Sequence, residues 1–123
     1  MFDFHLHSRV SFDSETDPIE IALAAKKNGL KEICFTDHFD YNSAPAKIHN
    51  LFTHQDYRAA YDGLSVPELT VRRGVEAGLT RWNGPQIREF LQGYPFDFVI
   101  GSVHFVDGFD PYEPEYWHGR SVK

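Results

Sequence analysis

The sequence predicts an α/β fold in which parallel strands alternate with helices. Four apolar segments of strand length are separated by segments with helix start and stop signals, which gives the order βαβαβαβ. Helical connections between consecutive strands require those strands to run parallel. Each strand segment also ends at a histidine or an acidic residue, and the carboxyl ends of parallel strands lie side by side. These observations predict about half of an α/β barrel, with metal-binding side chains at one edge.

The first helix is predicted from its start and stop signals. Asp17-Pro18 begins it, because Asp17 is expected to cap the free backbone N–H groups and Pro18 suits the first turn. Asn28-Gly29 is a helix stop. The apolar stripe of this helix is expected to comprise Ile19, Leu23, Ala24 and Leu30.

Two further helices and the intervening strands follow. Part of the segment 53–64 is predicted to be helical, with Tyr57, Ala60, Tyr61 and Leu64 on one face. Gly84-Pro85 opens the third helix, which is expected to run over 86–92. Residues 40–45 and 108–123 are predicted to be loops. The predicted strands cover, in order, residues 2–7, 33–38, 69–76 and 98–104.

Composition limits the classes of function. The chain has 123 residues, of which 41% are apolar, and this is enough for one packed domain. Its formal net charge of −6, without a basic run, argues against nucleic acid or an anionic membrane as the main partner. Cys34 is the only cysteine, which fits a reducing, cytoplasmic setting. No apolar segment approaches the length of a membrane span, and the N-terminus lacks the features of a signal peptide.

His5 and His7 form the sharpest motif of the sequence. Side chains alternate along a strand, so His5 and His7 are expected on one face, with Phe4 and Leu6 on the other. Two imidazoles on one face can bind a single metal ion. The alternative interpretation is a pair of solvent-facing histidines on a half-exposed strand.

Asp13 and His38 are the next candidates. Asp13 lies in the loop after the first strand, where its carboxylate could bind a second ion, and Glu15 is the rival in the same loop. His38 ends the second strand, where a buried histidine with a satisfied hydrogen bond is the alternative to a ligand. Asp37 beside it is interpreted as a carboxylate that fixes the orientation of an imidazole.

Glu76 and His104 complete the candidate ligand set. Glu76 ends an apolar strand, where an acidic side chain is costly unless it is paired or bound to metal. Its two oxygens could bridge two cations. His104 follows Gly101 and Ser102, which leave space near the end of the fourth strand. The joint occurrence of ligand types at four strand ends is difficult to explain as an accident of core packing.

The other reactive residue types have ordinary structural interpretations. Cys34 is predicted to be an inert core residue, because it lies between Ile33 and Phe35. Arg9 and Arg81 follow strands and could reach an anionic substrate, although a solvated or salt-bridged role is favoured for both. The histidines expected to be solvated are His49, His54 and His118, of which His118 is an additional candidate ligand.

These motifs together resemble the PHP superfamily, which is named for polymerase and histidinol phosphatase. The residues that carry the resemblance occur in order along almost the whole chain. The segment 102–108 resembles the histidinol-phosphatase branch in particular. The matching motifs are His5-Leu6-His7-Ser8 with Asp13, Thr36-Asp37-His38, Gly74-Val75-Glu76, and Gly101-Ser102-Val103-His104-Phe105.

The resemblance implies a distorted (β/α)7 TIM-like barrel with up to three divalent metal ions, which could be zinc, manganese or iron. Carried over by position, the first ion is held by His5, His7 and Glu76. Glu76 then bridges to a second ion that His104 also binds, and Asp13 and His38 hold the third. The implied chemistry is hydrolysis of a phosphoester, with the ions activating water and neutralising charge on the phosphoryl oxygens.

The resemblance also implies that residues 1–123 form a PHP domain that is incomplete at its C-terminus. Later strands of the family supply another histidine or equivalent and a final Asp-x-His pair, and no Asp-x-His follows His104 here. The expected function is hydrolysis of L-histidinol phosphate, a small phosphorylated substrate, in histidine biosynthesis. Exonuclease or protein-tyrosine phosphatase activity, and an inactive metal-binding fragment, are the alternatives. Open strand edges suggest that the chain forms a homo-oligomer.

Overall fold

The computed structural model describes residues 1–41 and 50–120, and this part of the chain contains five strands and four helices. Residues 42–49, which include most of the predicted loop at 40–45 and also His49, lie outside the described residues. In chain order the elements are β1 (Phe2–Leu6), α1 (Pro18–Lys27), β2 (Glu32–Phe35), β3 (His38–Phe39), α2 (His54–Tyr61), β4 (Thr70–Gly78), α3 (Gly84–Gln92), β5 (Phe98–Ser102) and α4 (Pro114–Trp117).

The strands form one sheet in which every pair of neighbours is parallel. β1 pairs with β2, and β2 pairs with the first half of β4. β3 continues the path of β2 after a break at Thr36-Asp37 and pairs with the second half of β4. β5 pairs with the opposite side of β4. The predicted α/β fold with parallel strands in chain order is confirmed.

The hydrophobic core lies between the outer face of the sheet and the helices. Ile33 and Phe35 of β2 and Val75 of β4 are completely buried there. Tyr57 and Tyr61 of α2 are buried against the same face, as the predicted apolar face of that helix requires. The Tyr57 hydroxyl donates a hydrogen bond to the carbonyl oxygen of Gly74 at 2.7 Å. Its phenol therefore fixes α2 to the middle of β4.

Helix α1 has the predicted bounds but packs through a different face. Its buried residues are Pro18, Ala22 and Ala25, whereas Ile19 and Leu23 are 40% and 54% exposed. Of the predicted stripe, Leu30 packs against the core, but Ile19, Leu23 and Ala24 were predicted wrongly. The buried side chains of the helix are short and let its backbone lie close to the sheet. Asp17 also does not cap the helix with its side chain. Its carboxylate instead accepts a hydrogen bond from Arg9 Nε at 2.9 Å, which confirms the favoured salt-bridged role of Arg9.

Strand β1 contains a β-bulge that the alternation pattern did not predict. Asp3 and Leu6 align with Ile33 and Phe35, so β1 holds one residue more than β2 over this span. Leu6 faces the groove beside α1, together with Asp3. Phe4 lies instead on the concave inner face of the sheet, with its ring centroid 5.8 Å from that of Phe98. The expectation that Phe4 and Leu6 share a face was therefore wrong, because the extra residue shifts the alternation by one.

The inner face below the strand ends is packed and partly charged. Arg72 of β4 donates a hydrogen bond from Nε to Glu32 of β2 at 2.6 Å. Cys34 lies on the same face and is buried, and burial raises the pKa of its thiol to about 12. Its thiolate is therefore not formed near neutral pH, which agrees with the predicted inert role.

The C-terminal segment is not entirely a loop. Residues 114–117 form the short helix α4, which begins at Pro114 after the extended residue Glu113. Proline at the first helical position is favourable because its missing N–H would have no partner there.

Helix α3 was predicted correctly and includes Gly84 and Pro85 in its first turn. No helix among the described residues is long and apolar enough to cross a membrane.

Candidate metal centre

The β1 histidines converge on the carboxylate of Glu76 in β4. His5 Nε2 lies 2.8 Å and His7 Nε2 lies 3.0 Å from Glu76 Oε2. The β-bulge turns His5 toward the strand ends, although Phe4 directly before it faces the inner side of the sheet. Three potential ligand atoms of the sequence motif therefore lie within reach of one ion.

Glu76 lies at the centre of the site. It is 4% exposed, and its second oxygen, Oε1, lies 2.9 Å from His104 Nε2. Burial by itself raises the pKa of this carboxyl, but hydrogen bonds from His5 and His104 outweigh it and lower the pKa to about 2. Glu76 is therefore a carboxylate at any physiological pH, and each of its oxygens faces a different histidine.

Asp13 extends the site from the loop after β1. Its Oδ2 lies 2.8 Å from His7 Nδ1 and 3.4 Å from His38 Nε2. Partial burial raises the pKa of Asp13, and the hydrogen bond from His7 opposes this effect and leaves the pKa below its usual value. Glu15, the rival carboxylate of this loop, is exposed and belongs to none of the groups of candidate ligands in the described part of the chain.

Asp40 is a member of the site that sequence reasoning missed. It lies two residues after His38, is 2% exposed, and has Oδ1 2.6 Å from His104 Nδ1. The predicted strand ended at His38 and the next segment was assigned to a loop, whereas β3 continues to Phe39. The i, i+2 spacing of His38 and Asp40 was the available signal, because such residues share a face of an extended chain.

Three overlapping groups of side chains can each hold a cation. In each group the candidate ligand atoms lie within 4.8 Å of one another. The groups share histidines, so the site is one continuous cluster rather than three separate ones. They are His5, His7 and Glu76; His7, Asp13 and His38; and His38, Asp40 and His104.

The residues present fit bound divalent metal. His7 Nε2 and His38 Nδ1 are buried and make no hydrogen bond with any group in the described part of the chain. Buried polar atoms without partners are rare and costly, and a metal ion would satisfy both nitrogens. Burial also lowers the pKa of His38, which favours the neutral imidazole that binds metal. Imidazole nitrogens mixed with carboxylate oxygens suit zinc, manganese or iron.

Asp37 does not have the predicted role. Its carboxylate accepts hydrogen bonds from the backbone N–H of Ser8, at 2.7 Å, and from the hydroxyl of Tyr61, and it has no hydrogen bond or ion pair with an imidazole among the described residues. Burial raises the pKa of Asp37. It connects the end of β1 to α2 and so supports His7 through the backbone, whereas Asp40 is the carboxylate that contacts an imidazole ring.

His54, His118 and Arg81 lie outside the cluster. His54 was expected to be solvated, but its ring stacks on Phe90 and its Nε2 lies 2.8 Å from the Phe90 carbonyl oxygen. His118 is exposed and belongs to none of the metal-ligand groups in residues 1–41 and 50–120. Arg81 is exposed and lies over the ring of Trp82.

A recess opens beside the cluster on the side of β5. It has a volume of about 250 Å³ and is bounded by His38 and His104. Its other walls contain three aromatic rings and two acidic groups, Asp40 and Asp110. The wall residues include Phe12, Asn50, Phe105, Asp110, Pro111 and Tyr112. A small organic group could occupy this recess while a phosphoryl group attached to it lies over the metal ligands.

Histidinol phosphatases are among the proteins to which this chain is similar. The chain is 32% identical to the histidinol-phosphatase of Lactococcus lactis over 124 aligned positions, covering 98% of this chain and 45% of that protein. It is 34% identical to a probable histidinol-phosphatase of Clostridium acetobutylicum, covering 92% of this chain and 43% of the relative. The chain thus spans a little under half the length of the curated relatives that it matches.

A solved structure shows the same fold. The crystal structure of the Lactococcus lactis histidinol phosphate phosphatase, complexed with zinc, L-histidinol and phosphate, superposes with a TM-score of 0.75 at 30% identity. The superposition covers 89% of this chain and 42% of that one, so the fold is the N-terminal part of a TIM-like barrel. The sequence profile of the PHP domain matches residues 3–122. With its parallel strands and its cluster of histidines and carboxylates, this chain belongs to the PHP domain family.

Proposed function

We propose that this domain is part of a metal-dependent phosphoester hydrolase that converts L-histidinol phosphate and water into L-histidinol and phosphate. The observation that carries the proposal is the cluster around Glu76, where imidazoles and carboxylates from four strand ends or adjoining loops meet. Two buried nitrogens of this cluster make no hydrogen bond among the described residues. Histidinol-phosphatases among the relatives support the substrate. Histidine biosynthesis is the pathway that this substrate implies.

The proposed divalent ions are zinc, manganese or iron, and the zinc in the related crystal structure supports zinc first. When bound, such ions activate water and neutralise the charge that develops on the phosphoryl oxygens. His5 and His7 offer imidazole nitrogens on one side, and Glu76, whose pKa is lowered to about 2, supplies a carboxylate between His5 and His104. Asp13 adds negative charge on the side of His38.

The organic part of the substrate is proposed to occupy the aromatic recess beside His104. Phe12, Phe105 and Tyr112 offer apolar surfaces there, and Asp110 offers a negative charge to a cationic amine. This arrangement orients the phosphoryl group toward the cluster. It also favours a small phosphomonoester over a long nucleic acid, in agreement with the net charge of −6.

The test combines metal analysis with a phosphatase assay on the 123-residue chain. The chain is stripped with a chelator, reloaded separately with zinc, manganese or ferrous iron, and supplied with L-histidinol phosphate. We expect metal to bind, phosphate release from this chain alone to be weak and to depend on the metal, and replacement of both His5 and His7 with alanine to abolish both. His118→Ala is the matched control, because His118 is exposed and outside the cluster.

The outcomes separate the competing functions. A chain that binds no metal, or whose phosphate release survives the chelator, would contradict the proposal. Metal binding without phosphate release from any ester would favour the alternative of a metal-binding fragment. Release from phosphotyrosine peptides or from oligonucleotides, with none from L-histidinol phosphate, would favour one of the other activities expected of this family.

The proposal extends to partners and location. The exposed side chains of Phe98 and Val99 on β5 support association of two copies of the chain, since β5 pairs only with β4 in the described residues. A cytoplasmic location is supported by the single cysteine, Cys34, which is buried as a free thiol. Fluorescent tagging and cell fractionation would test the location directly.

A further inference from the structure

A buried carboxylate lies between two histidines that the resemblance to the PHP superfamily assigns to different metal ions. Asp40 Oδ1 is 2.6 Å from His104 Nδ1, and Asp40 Oδ2 is 3.6 Å from His38 Nδ1. Asp40 is 2% exposed, so little water competes for these contacts. In His104 the nitrogen that faces Asp40 is the one turned away from Glu76. In His38, Nδ1 faces Asp40 and also lies 3.9 Å from Glu76 Oε2, whereas Nε2 faces Asp13.

The surrounding structure holds Asp40 in this place. Its backbone N–H donates to the Asn50 carbonyl oxygen at 2.8 Å, and the Asn50 N–H donates back at 3.2 Å. The Asn50 side-chain amide also donates to Asp40 Oδ2 at 3.2 Å. On the opposite side, Gly78 of β4 leaves the space that the carboxylate fills, since a Cβ atom at this position would overlap Asp40 Oδ1. These contacts therefore fix the position of the Asp40 carboxylate between the two histidines.

The chemistry of a carboxylate defines what it does to an imidazole. An ionised carboxylate only accepts hydrogen bonds, so the proton of His104 that faces Asp40 must be on Nδ1. The lone pair available for metal is then on Nε2, which lies 2.9 Å from Glu76 Oε1. A carboxylate behind a metal-binding histidine fixes both the tautomer and the ring orientation in this way.

We infer that Asp40 is a positioning residue that directs Nε2 of His104 toward the metal position beside Glu76. The same carboxylate faces His38, so it connects the ligands of two ions. The inference rests on the metal-binding role proposed above. The competing role is that of a direct ligand, since Asp40 is also within ligand distance of His38 and His104. If Asp40 is a positioning residue, His104 Nδ1 keeps its proton. If Asp40 is a direct ligand, His104 Nδ1 is deprotonated and binds the ion that it shares with Asp40.

The test uses the ¹⁵N-histidine-labelled 123-residue chain, with and without zinc. In the metal-free wild-type chain we expect a downfield N–H signal from His104 Nδ1, and in the zinc-loaded chain Nδ1 still protonated with Nε2 bound. Asp40→Ala should remove this N–H signal and weaken zinc binding by ~10–100-fold, the usual cost of losing such a partner. Asp40→Asn keeps an acceptor of the same shape, so it should retain the signal and lose less affinity.

Gly78→Ala provides an independent route that leaves Asp40 in the sequence. Its new methyl group must displace the carboxylate, so this variant should resemble Asp40→Ala in both measurements. Asp62→Asn is the control, because Asp62 is an exposed carboxylate bonded to Arg73 and Tyr94 at the far end of α2. It should leave the His104 signals and the zinc affinity unchanged.

Two results would overturn the inference. One is an unchanged Nδ1 signal and zinc affinity in both Asp40→Ala and Gly78→Ala, and the other is a zinc-loaded chain in which Nδ1 of His104 is the coordinating atom. If the wild-type chain binds no zinc, the proposed function fails, and the metal-free spectra still decide whether Asp40 positions the ring. If Asp40→Ala does not fold, Asp40→Asn and Gly78→Ala decide the question.

Discussion

Glu76 combines two properties that are costly to combine elsewhere in a protein. It is almost completely buried, and it is ionised, with its pKa lowered to about 2. The histidines around it more than offset the cost of this burial, but two buried nitrogens of His7 and His38 are left without hydrogen bonds in the described part of the chain. A residue of this kind is expected where a cation completes the local charge balance.

Replacing Glu76 with glutamine should cause the largest loss of metal binding of any single substitution in the cluster. The substitution keeps the shape but removes the negative charge between the groups that contain His5 and His104. We expect the zinc affinity to fall by more than the ~10–100-fold typical of losing a partner that only orients a ligand. Titration against a chromophoric chelator and elemental analysis would measure it.

The control for this substitution is Glu89→Gln on the exposed side of α3, which should bind zinc as the wild-type chain does. Unchanged metal content in Glu76→Gln would show that Glu76 is a structural carboxylate rather than a ligand.

At single positions, the sequence predicted which side chains lie close together better than it predicted their hydrogen-bond partners. It placed His5, His7, Asp13, His38, Glu76 and His104 together, and the structure brings all six into one cluster. It assigned the role of an imidazole partner to Asp37 instead of Asp40, because the chain direction after Thr36 cannot be read from local pattern. His54 was misjudged for the same reason, since its partner Phe90 is 36 residues away.

Among the elements, β4 has the most restrictive environment. It pairs with β2 and β3 on one side and with β5 on the other. A Cβ atom at Gly74 in its middle would lie 2.7 Å from the Phe98 carbonyl oxygen and 2.8 Å from Cys34 Sγ. Glycine at this position therefore sets how closely the neighbouring strands approach on the inner face.

Gly74→Ala should destabilise the fold by about 1–3 kcal/mol, as overpacking of a tightly packed interior usually does. The backbone of β5 cannot move away without weakening its pairing with β4. Urea unfolding followed by circular dichroism would measure the free energy of unfolding. Gly63→Ala is the matched control, because nothing lies within 4 Å of a Cβ atom there.

Equal free energies of unfolding for these two alanine variants would show that the sheet adapts around position 74. A loss of stability confined to Gly74→Ala would support the close approach of the strands.

The types of the main elements followed from the sequence, whereas their packing faces did not. Helix starts at Pro18 and Gly84 and the four strand segments were all recognised. The buried face of α1 was missed because Ala22 and Ala25 carry weak hydrophobic signals, while Ile19 and Leu23 carry strong ones. Contact with the sheet selects short side chains here, and hydrophobic periodicity does not contain that information.

For the whole molecule, bound metal should act as a cross-link. The candidate ligands come from β1, its following loop, β3, β4 and the segment after β5, so an ion in the cluster joins distant parts of the chain. At free zinc 100 times above the dissociation constant, binding to the folded state alone adds about 2.7 kcal/mol to the free energy of unfolding. Thermal unfolding with zinc and with a chelator would show the difference.

The double variant with alanine at positions 5 and 7 serves as the reference for this experiment, since it lacks two candidate ligands. Superimposable melting curves for the wild-type chain with zinc and with the chelator would contradict the cross-link. A shift of equal size in the double variant would place the stabilising ion elsewhere.

The sheet as a whole should promote association of the chain through the edge at β5. Val99 of this strand is 43% exposed, and in the described residues β5 pairs with β4 alone. Val99→Lys should weaken association, because lysine on an edge strand opposes pairing with another strand. Sedimentation velocity at several concentrations would detect the change. Leu23→Lys on α1 is the control, because Leu23 is also an exposed apolar residue, at 54%, but lies away from the β5 edge.

A wild-type chain that remains monomeric at every concentration would exclude this association. An equal effect of both lysine substitutions would show that the contact does not depend on the β5 edge.

The bulge in β1 lets two adjacent residues of a five-residue strand face the same side of the sheet. Within it, Phe4 lies on the inner face of the sheet beside Phe98, and the next residue, His5, points to Glu76. In a regular strand, adjacent residues point to opposite faces, so Phe4 and His5 could not both face inward. The extra residue of the bulge interrupts this alternation, so both side chains can face inward. We therefore expect the fold to tolerate large changes of the Phe4 side chain more readily than the deletion of one residue from the bulge. The deletion would restore the regular alternation and turn either the ring of Phe4 or the imidazole of His5 away from the inner face. Mutational scanning would measure the difference.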